Sequence, residues 1–337
     1  MELSEQALHI FESALDRVRP QRLIQDNLTQ QGGTLYIRDR HFDLDAYDNI
    51  YVIGAGKASA YMARAVEEIL GPRVTTGMVN VKYGHGADCK RISVNEAGHP
   101  ILDQAGLNGT SRMLSLVQQC KEDDLVICLL SGGGSALLEK LPPAIDLQHL
   151  QQTTAHLLEC GADIAEINTI RKHLSMVKGG QLAKAIAPAT CVTLIISDVI
   201  GDPLHSIASG PTAADESTFS QAWRVVEKYA LEPKLPKSVT DHLQNGMDGH
   251  IQETLKAGDS VLDKVYNWII GNNRLALQAA SQKAEELGLH AISVTDRLSG
   301  EAREKARDVV QYMIELRKQG AEKGTLCVLY GGETTVK

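Results

Sequence analysis

The sequence predicts a doubly wound α/β protein with a mostly parallel sheet, and three observations carry this prediction. Short runs rich in Val, Ile and Leu recur, each followed by a loop of Gly, Ser, Asp or Asn and then by a helical pattern. The runs are continuous and do not alternate with polar residues, which is typical of strands buried on both faces. The chain of 337 residues exceeds the usual size of a single core, so we expect two domains.

Seven apolar runs are predicted to be strands: residues 49–53, 77–81, 125–130, 191–196, 268–270, 290–294 and 326–330. A helix is expected over about 58–70 after the first run, and a long helix over 301–318 after the sixth. In sheets of this kind ligands bind beyond the carboxyl ends of the strands. The polar loops that follow the runs are therefore the places to look for a site.

The domain division follows from where these patterns change. We predict an N-terminal Rossmann-like α/β domain over 1–212, connecting helices over 213–264 and the first part of a second α/β domain over 265–337. The middle segment has helical periodicity but several Pro and Gly breakers. The last segment holds only three predicted strands, too few to close a core comfortably, so we expect the chain to be truncated at its C-terminus.

Composition excludes several classes of partner. The formal net charge is -8 and the pI about 5.8, which disfavours nucleic acid and anionic membranes as partners. No run approaches the ~18 apolar residues of a membrane span, and the N-terminus lacks the pattern of a secretory signal. The six cysteines form no CxxC pair, which indicates a reduced, cytoplasmic protein. The oligomeric state stays open, a homo-oligomer included.

The first loop, GAGKAS, joins a predicted strand to a predicted helix. Gly54 and Gly56 would let the backbone approach a phosphate, and Lys57 would add a positive charge. The loop is not a Walker A motif, and Ser59 stands where a Rossmann fingerprint has its third glycine, which argues against a nicotinamide cofactor. A tight strand–helix turn with Lys57 in solvent is the alternative.

A run of three glycines follows the predicted strand at residues 125–130. Such a run costs backbone entropy, and close approach of a ligand explains it better than chance. Successive N–H groups of a loop of this kind can bind an anion, although a plain flexible turn is the alternative. The candidate phosphate-binding residues are Ser131, Gly132, Gly133, Gly134 and Ser135.

Positive charge is concentrated in the segment 168–180, which is predicted to be helical. Arg171 is the candidate within it, because a guanidinium binds carboxylate or phosphate through two hydrogen bonds. A solvated basic helix face is the alternative. Two carboxylates, Asp198 and Asp202, follow another buried run, where they can hold Mg²⁺ or accept a hydroxyl proton. Asp198 could equally cap the next segment.

Taken together, these motifs resemble the type II glycerate kinases, with the start of that family's C-terminal MOFRL-type domain. The resemblance extends from about Asp48 to the last residue, and the run 129–212 is its most specific part. The motifs that carry it, in the family's order, are VIGAGKAS, KYGHG, EAGHPILD, LLSGGGSALL, INTIRKHLSMVKGGQLA, ISDVIGDPLHSIASGPT, IIGNN and YGGETTV.

The resemblance implies transfer of the ATP γ-phosphoryl group to the 2-hydroxyl of D-glycerate, with Mg²⁺, to give 2-phosphoglycerate. By their chemistry, Lys57 is assigned to the phosphates or substrate and Arg171 to the transferred charge or the glycerate carboxylate. Asp198 is assigned to metal or the substrate hydroxyl, and Asp202 to metal. Nucleotide binding is assigned to loop residues: Gly54, Gly56, Ser131, Gly132, Gly133, Gly134, Ser135, Asn272, Gly332 and Glu333.

Two other functions are kept as alternatives. A hydroxypyruvate reductase is one, because relatives of this family have carried that name, and it predicts nicotinamide binding. An inactive fragment is the other, because of the abrupt C-terminus. His85 and His99 lie in GHG and GHP turns without a partner at metal-ligand spacing, and we interpret both as structural.

Overall fold

The structure, a computed structural model, describes residues 2–318 and 324–336. Its helices are α1 (Leu3–Arg17), α2 (Pro20–Asn27), α3 (Ser59–Leu70), α4 (Gln104–Val117), α5 (Gly134–Leu137), α6 (Leu147–Glu159), α7 (Ile164–His173), α8 (Gln181–Ile186), α9 (Phe219–Lys228), α10 (Lys237–Met247), α11 (Asn273–Glu286) and α12 (Ala302–Lys318). Its strands are β1 (Leu28–Gln31), β2 (Thr34–Ile37), β3 (Arg40–Asp43), β4 (Asn49–Ala55), β5 (Val74–Lys82), β6 (Ile92–Ala97), β7 (Asp124–Leu130), β8 (Thr190–Ile196), β9 (Val265–Gly271), β10 (His290–Leu298) and β11 (Leu326–Gly332).

The main sheet confirms the predicted fold class. Within the described residues it has six strands in the order β6-β5-β4-β7-β8-β9, and the pairs from β6 through β8 are parallel. Within this sheet the chain passes first through the central strand β4, then through β5 to the edge strand β6. It then returns to β7, which lies on the other side of β4. This is the strand order of a Rossmann fold, whose switch point lies between β4 and β7.

Buried side chains on the central strands explain why they read as continuous apolar runs. Every residue of β7 is buried, and so is β8 up to its last residue. The polar side chain of Asn80, on β5, is also buried. Its amide donates to the Leu137 carbonyl at 2.8 Å and to Thr110 Oγ1 at 3.1 Å, which ties α4 and α5 to the sheet.

Three elements differ from the expectation. Strands β1, β2 and β3 form a small antiparallel sheet that the sequence did not indicate, since each has four residues and β3 reads RHFD. The edge strand β6 was also missed, because polar residues interrupt it. The basic helix α7 is shorter than predicted, because it ends at His173 and residues 174–180 are not helical.

The chain separates into two compact units. The first comprises Met1–Asp26, Ile196–Pro203 and Ile269–Lys337, and the second comprises Asn27–Ile195 and Leu204–Trp268. In the second unit, α6, α7, α9 and α10 share one apolar cluster that includes Leu157, Ile170, Trp223 and Leu243. The segment 213–264, predicted as connecting helices, therefore contributes to the core of that unit.

The first unit has its own smaller core. Strands β10 and β11 pair in parallel, and α1 and α11 pack on each other through Ile10, Ala280 and Ala284. None of the helices in the described part of the chain combines the length and apolar character needed to cross a bilayer.

Candidate functional site

Two loops meet at the switch point of the main sheet, and both belong to the second unit. The lysine loop (residues 54–59) ends β4, and the glycine loop (residues 131–135) ends β7. The Lys57 N–H donates to the Gly132 carbonyl at 2.9 Å, and the Ala58 N–H donates to Ser131 Oγ at 3.0 Å. Each loop thus fixes the backbone of the other at the edge where Rossmann folds bind ligands.

Glycine is required at two positions of the lysine loop because the neighbouring strand lies so close. Gly56 has φ 138°, and a Cβ there would lie 2.5 Å from the Ser131 carbonyl oxygen. A Cβ on Gly54 would lie 2.9 Å from the Leu129 carbonyl carbon. The Gly56 N–H donates to the Asn80 carbonyl at 3.1 Å. Both glycines therefore allow the close contact between β4 with its loop and the neighbouring strand and loop. Lys57 is the exposed residue of the lysine loop.

The glycine loop turns sharply into α5. Gly133 has φ 87°, a left-handed conformation that favours glycine, and the Gly134 N–H donates to the Ser131 carbonyl at 3.1 Å. A Cβ on Gly133 would lie 3.2 Å from Lys57 Cε. The stem of Lys57 therefore crosses the bare backbone of Gly133. Among the described residues no carboxylate forms an ion pair with Lys57, so its ammonium is available to an anion.

Arg171 reaches the glycine loop from the last turn of α7. Its Nη2 donates to the Ser135 carbonyl at 3.0 Å, and its side chain is half-buried. The two neighbouring basic residues point elsewhere: Lys172 forms a buried ion pair with Asp215 at 2.9 Å, and His173 Nε2 lies 3.3 Å from a Glu253 oxygen. Of the predicted basic helix face, Arg171 is the residue brought to the loop.

Lys178 binds the residues that follow the glycine loop and α5, a role the sequence did not suggest. Its fully buried ammonium donates to the Leu138 carbonyl at 2.7 Å and lies 2.9 Å from Glu139 Oε2. Burial lowers the pKa of Lys178 to about 8, although the Glu139 carboxylate acts in the opposite direction. The pair holds the C-terminal end of α5, the short helix that the glycine loop begins.

A strained turn (residues 208–210) flanks the glycine loop. Ala208, Ser209 and Gly210 all have positive φ, at 50°, 62° and 63°. The Ser209 hydroxyl lies 2.9 Å from that of Ser135, and a Cβ on Gly134 would lie 2.8 Å from Ala208 Cβ. Left-handed residues other than glycine cost about 1–3 kcal/mol each and persist where their surroundings enforce them, often at functional sites.

The first unit contains a cavity of about 380 Å³, here called the acidic cavity. It is formed by the loop after β8, the start of α11 and the end of β11, and so it gathers the second group of predicted residues. Its polar lining residues are Ser197, Asp198, Asp202, Asn272, Asn273, Arg274, Asp296 and Glu333, with Gly332 beside them.

Hydrogen bonds order the walls of the acidic cavity. Asn272 Nδ2 donates to Asp202 Oδ2 at 2.6 Å, while Asn272 Oδ1 caps α11 by accepting from the Leu275 N–H at 3.0 Å. Arg274 Nε donates to Asp296 Oδ2 at 2.9 Å, and this hydrogen bond lowers the pKa of Asp296. Asp198 stays exposed, so its carboxylate is accessible to a ligand.

The acidic cavity fits Mg²⁺ as a partner of phosphate. No three His, Cys, Asp or Glu side chains of the described residues converge as a ready metal site. Mg²⁺ does not need such a cluster, because it is usually bound by one or two carboxylates together with substrate phosphates and water. Asp198 and Asp202, two carboxylates in one loop, are a suitable donor pair.

Comparisons with known proteins agree on the family. A family model described as a domain of unknown function, DUF4147, matches residues 6–244. A Pyrococcus horikoshii protein named glycerate 2-kinase is 40% identical over 100% of this chain and 75% of its own. A crystal structure of a Thermotoga maritima glycerate kinase has a TM-score of 0.84 at 36% identity, covering 99% of this chain and 75% of that one.

One similar protein carries a different name. An Agrobacterium vitis protein named putative hydroxypyruvate reductase is 41% identical over 85% of this chain, and this chain covers 63% of its length. The chain therefore spans between about three-fifths and three-quarters of the length of these relatives.

Proposed function

The chain belongs to the glycerate kinase family with the DUF4147 domain, and we propose that it transfers the γ-phosphoryl group of ATP to the 2-hydroxyl of D-glycerate. The product is 2-phosphoglycerate, and the enzyme is a phosphotransferase with an alcohol group as acceptor. We place the reaction in the cytoplasm, where free cysteines such as the buried Cys128 and Cys191 stay reduced.

The observation that carries the proposal is the interlock of the lysine and glycine loops at the switch point. It leaves an exposed ammonium, Lys57, over a bare glycine backbone, with the Arg171 guanidinium bonded to the same loop. Phosphoryl transfer depends almost entirely on positioning and on offsetting negative charge, and this arrangement supplies both.

In the second unit, the proposed roles are binding and charge stabilisation. Lys57 offsets the charge that spreads over the transferred group, and the glycine loop brings backbone dipoles close to the phosphates. Arg171 binds either the transferred group or the glycerate carboxylate, for which its planar guanidinium is suited. Its hydrogen bond to the Ser135 carbonyl fixes where that guanidinium lies.

In the first unit, the proposed role is to hold Mg²⁺ and the groups bound to it. Asp198 and Asp202 would bind the ion, and when bound it neutralises phosphate charge. Asn272 orients the Asp202 carboxylate through the 2.6 Å hydrogen bond. We also propose that Asp198 accepts the proton of the substrate hydroxyl, and we keep both roles for it. Asn272, Gly332 and Glu333 complete the nucleotide-binding residues in this proposal.

Hydroxypyruvate reduction is the competing function, favoured by the name of one relative. Ser59, at the third glycine position of the dinucleotide fingerprint, is buried and its hydroxyl donates to the Leu129 carbonyl at 3.1 Å. We therefore expect no enhancement of NADH fluorescence when the protein is added, whereas a saturable enhancement would support the reductase.

The kinase proposal is tested by measuring ADP release with D-glycerate and MgATP for the wild type and for Lys57→Ala. The variant should lose at least about 100-fold in kcat, as when one stabilising group of a transition state is removed, with its thermal transition unchanged. Lys121→Ala, an exposed lysine on the same unit, is the matched control and should keep full activity. Lys57→Ala with near-normal turnover would remove Lys57 from the mechanism.

A further inference from the structure

Ser135, the last residue of the glycine loop, is held at two of its atoms by two different parts of the chain. Its carbonyl accepts from Arg171 Nη2 at 3.0 Å, and its hydroxyl lies 2.9 Å from the Ser209 hydroxyl of the strained turn. Arg171 belongs to α7, whereas Ser209 follows β8. The position of Ser135 therefore depends on how α7 and the strained turn are fixed.

Asp215 fixes the end of α7. Its Oδ1 accepts from Lys172 Nζ at 2.9 Å, and Lys172 is the residue next to Arg171. Both side chains of this ion pair are almost inaccessible, with 6% of Lys172 and 1% of Asp215 exposed. Because removing one partner of a buried pair leaves an uncompensated charge, neither side chain can leave without a large cost. The pair therefore holds the turn of α7 that presents Arg171.

Asp215 also supports the strained turn, through residues 179–180, here called the diglycine turn. The Gly179 N–H donates to the Ser209 carbonyl at 3.0 Å. The Gly180 N–H donates to the Gly210 carbonyl at 2.7 Å. Gly179 has φ 56°, and a Cβ there would lie 3.1 Å from Asp215 Oδ2. The diglycine turn thus binds the strained turn on one side and packs against the Asp215 carboxylate on the other.

The segment at Thr254 and Leu255 joins Asp215 to the diglycine turn by hydrogen bonds. Thr254 Oγ1 donates to Asp215 Oδ2 at 2.9 Å. The Asp215 N–H donates to the Leu255 carbonyl at 2.7 Å, and the Leu255 N–H donates to the Gly179 carbonyl at 2.9 Å. One buried residue is therefore connected to both parts of the chain that hold Ser135.

The Asp215 carboxylate is stabilised in its charged form. Burial acts to raise its pKa, but the hydrogen bond and the charge of Lys172, together with Ser217, hold the pKa below its ordinary value. Ser217 donates to Asp215 through its hydroxyl at 2.9 Å and through its N–H at 3.2 Å. An amide of the same shape has one acceptor oxygen in place of two, so it cannot accept all of these bonds.

We propose that Asp215 is a positioning residue for phosphoryl transfer, whose carboxylate fixes α7 and the diglycine turn and, through them, both contacts of Ser135. This rests on the proposed function and adds to it a residue that acts through Arg171 and the glycine loop. Such positioning matters because misplacing a reacting group by about 1 Å can cost on the order of 100-fold in rate.

Hydrogen–deuterium exchange tests the positioning without any turnover. In Asp215→Asn the peptide that covers residues 131–138 should exchange faster than in the wild type, because α7 and the diglycine turn lose their shared partner. Each protein is measured at the same interval below its own thermal midpoint, so that a general loss of stability cancels. Unchanged exchange of this peptide in Asp215→Asn would overturn the proposal.

Asp124→Asn is the matched control for this measurement. Asp124 is another buried carboxylate of the second unit, and it accepts from Asn49 Nδ2 at 2.9 Å and from the Lys121 N–H at 2.7 Å. It lies at the start of β7, whereas the glycine loop follows the end of that strand. Exchange of the 131–138 peptide should stay as in the wild type, and an increase equal to that of Asp215→Asn would overturn the proposal.

Lys172→Met is the second variant, and it decides the question if Asp215→Asn does not fold. It removes only the connection to α7, since the Asp215 carboxylate keeps its hydrogen bonds from Ser217 and Thr254. Exchange of the 131–138 peptide should again be faster than in the wild type. Unchanged exchange in Lys172→Met would overturn the connection through α7.

A double-mutant cycle with Arg171→Ala tests whether Asp215 acts through Arg171. Asp215→Asn should lower kcat/KM for D-glycerate on the order of 100-fold, and Asp124→Asn should leave it unchanged. In the Arg171→Ala background the loss caused by Asp215→Asn should be much smaller, because the group that it positions is gone. Equal losses in both backgrounds would overturn the action through Arg171. A wild type without turnover would contradict the proposed function, and the exchange measurement would still test the positioning.

Discussion

Lys178 is a buried lysine that contacts the residues just after α5, the short helix that the glycine loop begins. A lysine is rarely buried unless it is paired, and this one has both a carbonyl and a carboxylate partner. Breaking a buried ion pair is more costly than removing it whole, because the remaining charge is left without a partner in a medium of low polarity. The pair with Glu139 therefore explains why a charged side chain stands in the interior below the loop.

Replacing Lys178 by Met should destabilise the protein by about 3–5 kcal/mol, because the Glu139 charge stays buried and unpaired. The double variant Lys178→Met with Glu139→Gln should recover a large part of that loss. Urea unfolding followed by Trp fluorescence measures both. Additive losses in the double variant would contradict a coupled pair.

The pH dependence of stability follows from the same residue. The folded-state pKa of Lys178 is about 8, against 10.5 for an ordinary lysine, because of its burial. Between these values the unfolded chain binds the extra proton, so the free energy of unfolding should rise with pH from about 8 to 10.5. Relative to the double variant, the free energy of unfolding of the wild type should rise over this window, measured by urea unfolding at each pH. Parallel curves for the two proteins would be the contrary result.

At the scale of elements, the site depends on the interlock of two strand-ending loops. The Lys57 N–H and the Ser131 hydroxyl join the lysine loop to the glycine loop, and Gly56 permits the approach. The strained turn at Ala208 and Ser209 closes the other side through the 2.9 Å contact between the hydroxyls of Ser135 and Ser209. The geometry of the glycine loop is therefore fixed by backbone contacts as much as by side chains.

Gly56→Ala should separate the two loops, because its Cβ would lie 2.5 Å from the Ser131 carbonyl oxygen at a φ of 138°. We expect a loss of about 3 kcal/mol in stability and of most turnover. Gly84→Ala is the matched control, since its φ is 74° but no heavy atom lies within 4 Å of its Cβ. It should cost about 1 kcal/mol and keep its activity. Equal effects of the two substitutions in thermal unfolding would show that conformation, and not the close approach, is what matters at position 56.

Much of the element pattern could be read from the sequence, and the exceptions have physical reasons. Buried parallel strands such as β7 have continuous apolar runs because both of their faces are covered. The edge strand β6 and the small antiparallel sheet are half-exposed, so their sequences contain polar residues and show no continuous apolar run. Lys57, the glycine loop and Arg171 were predicted as candidates because glycine runs and charge stand out locally. Lys178 was not, since only the tertiary fold brings it to Leu138 and Glu139.

At the scale of the whole molecule, the candidate residues fall into two groups. The second unit carries the basic and glycine-rich group, and the first unit carries the acidic cavity with Asp198 and Asp202. A phosphotransferase needs both kinds of chemistry, cationic groups for phosphate and carboxylates for Mg²⁺. Each unit therefore carries one of the two kinds of chemistry that the proposed reaction uses.

Asp198→Asn should raise the Mg²⁺ concentration needed for half-maximal turnover by about tenfold, because one carboxylate ligand is lost. The affinity of the same variant for tripolyphosphate without metal should be unchanged, since the lysine and glycine loops are untouched. Activity titrations with MgCl₂ and calorimetry measure the two quantities. An unchanged Mg²⁺ requirement would assign Asp198 to the substrate hydroxyl alone.

The most direct test of the account is an enolase-coupled assay with D-glycerate and MgATP. Enolase accepts 2-phosphoglycerate and not the 3-phosphate isomer, so one signal reports both the reaction and the hydroxyl that receives the phosphoryl group. The account predicts continuous formation of phosphoenolpyruvate that depends on D-glycerate, ATP and Lys57. ADP release without any phosphoenolpyruvate would contradict 2-phosphorylation, and the absence of both products would contradict the kinase itself.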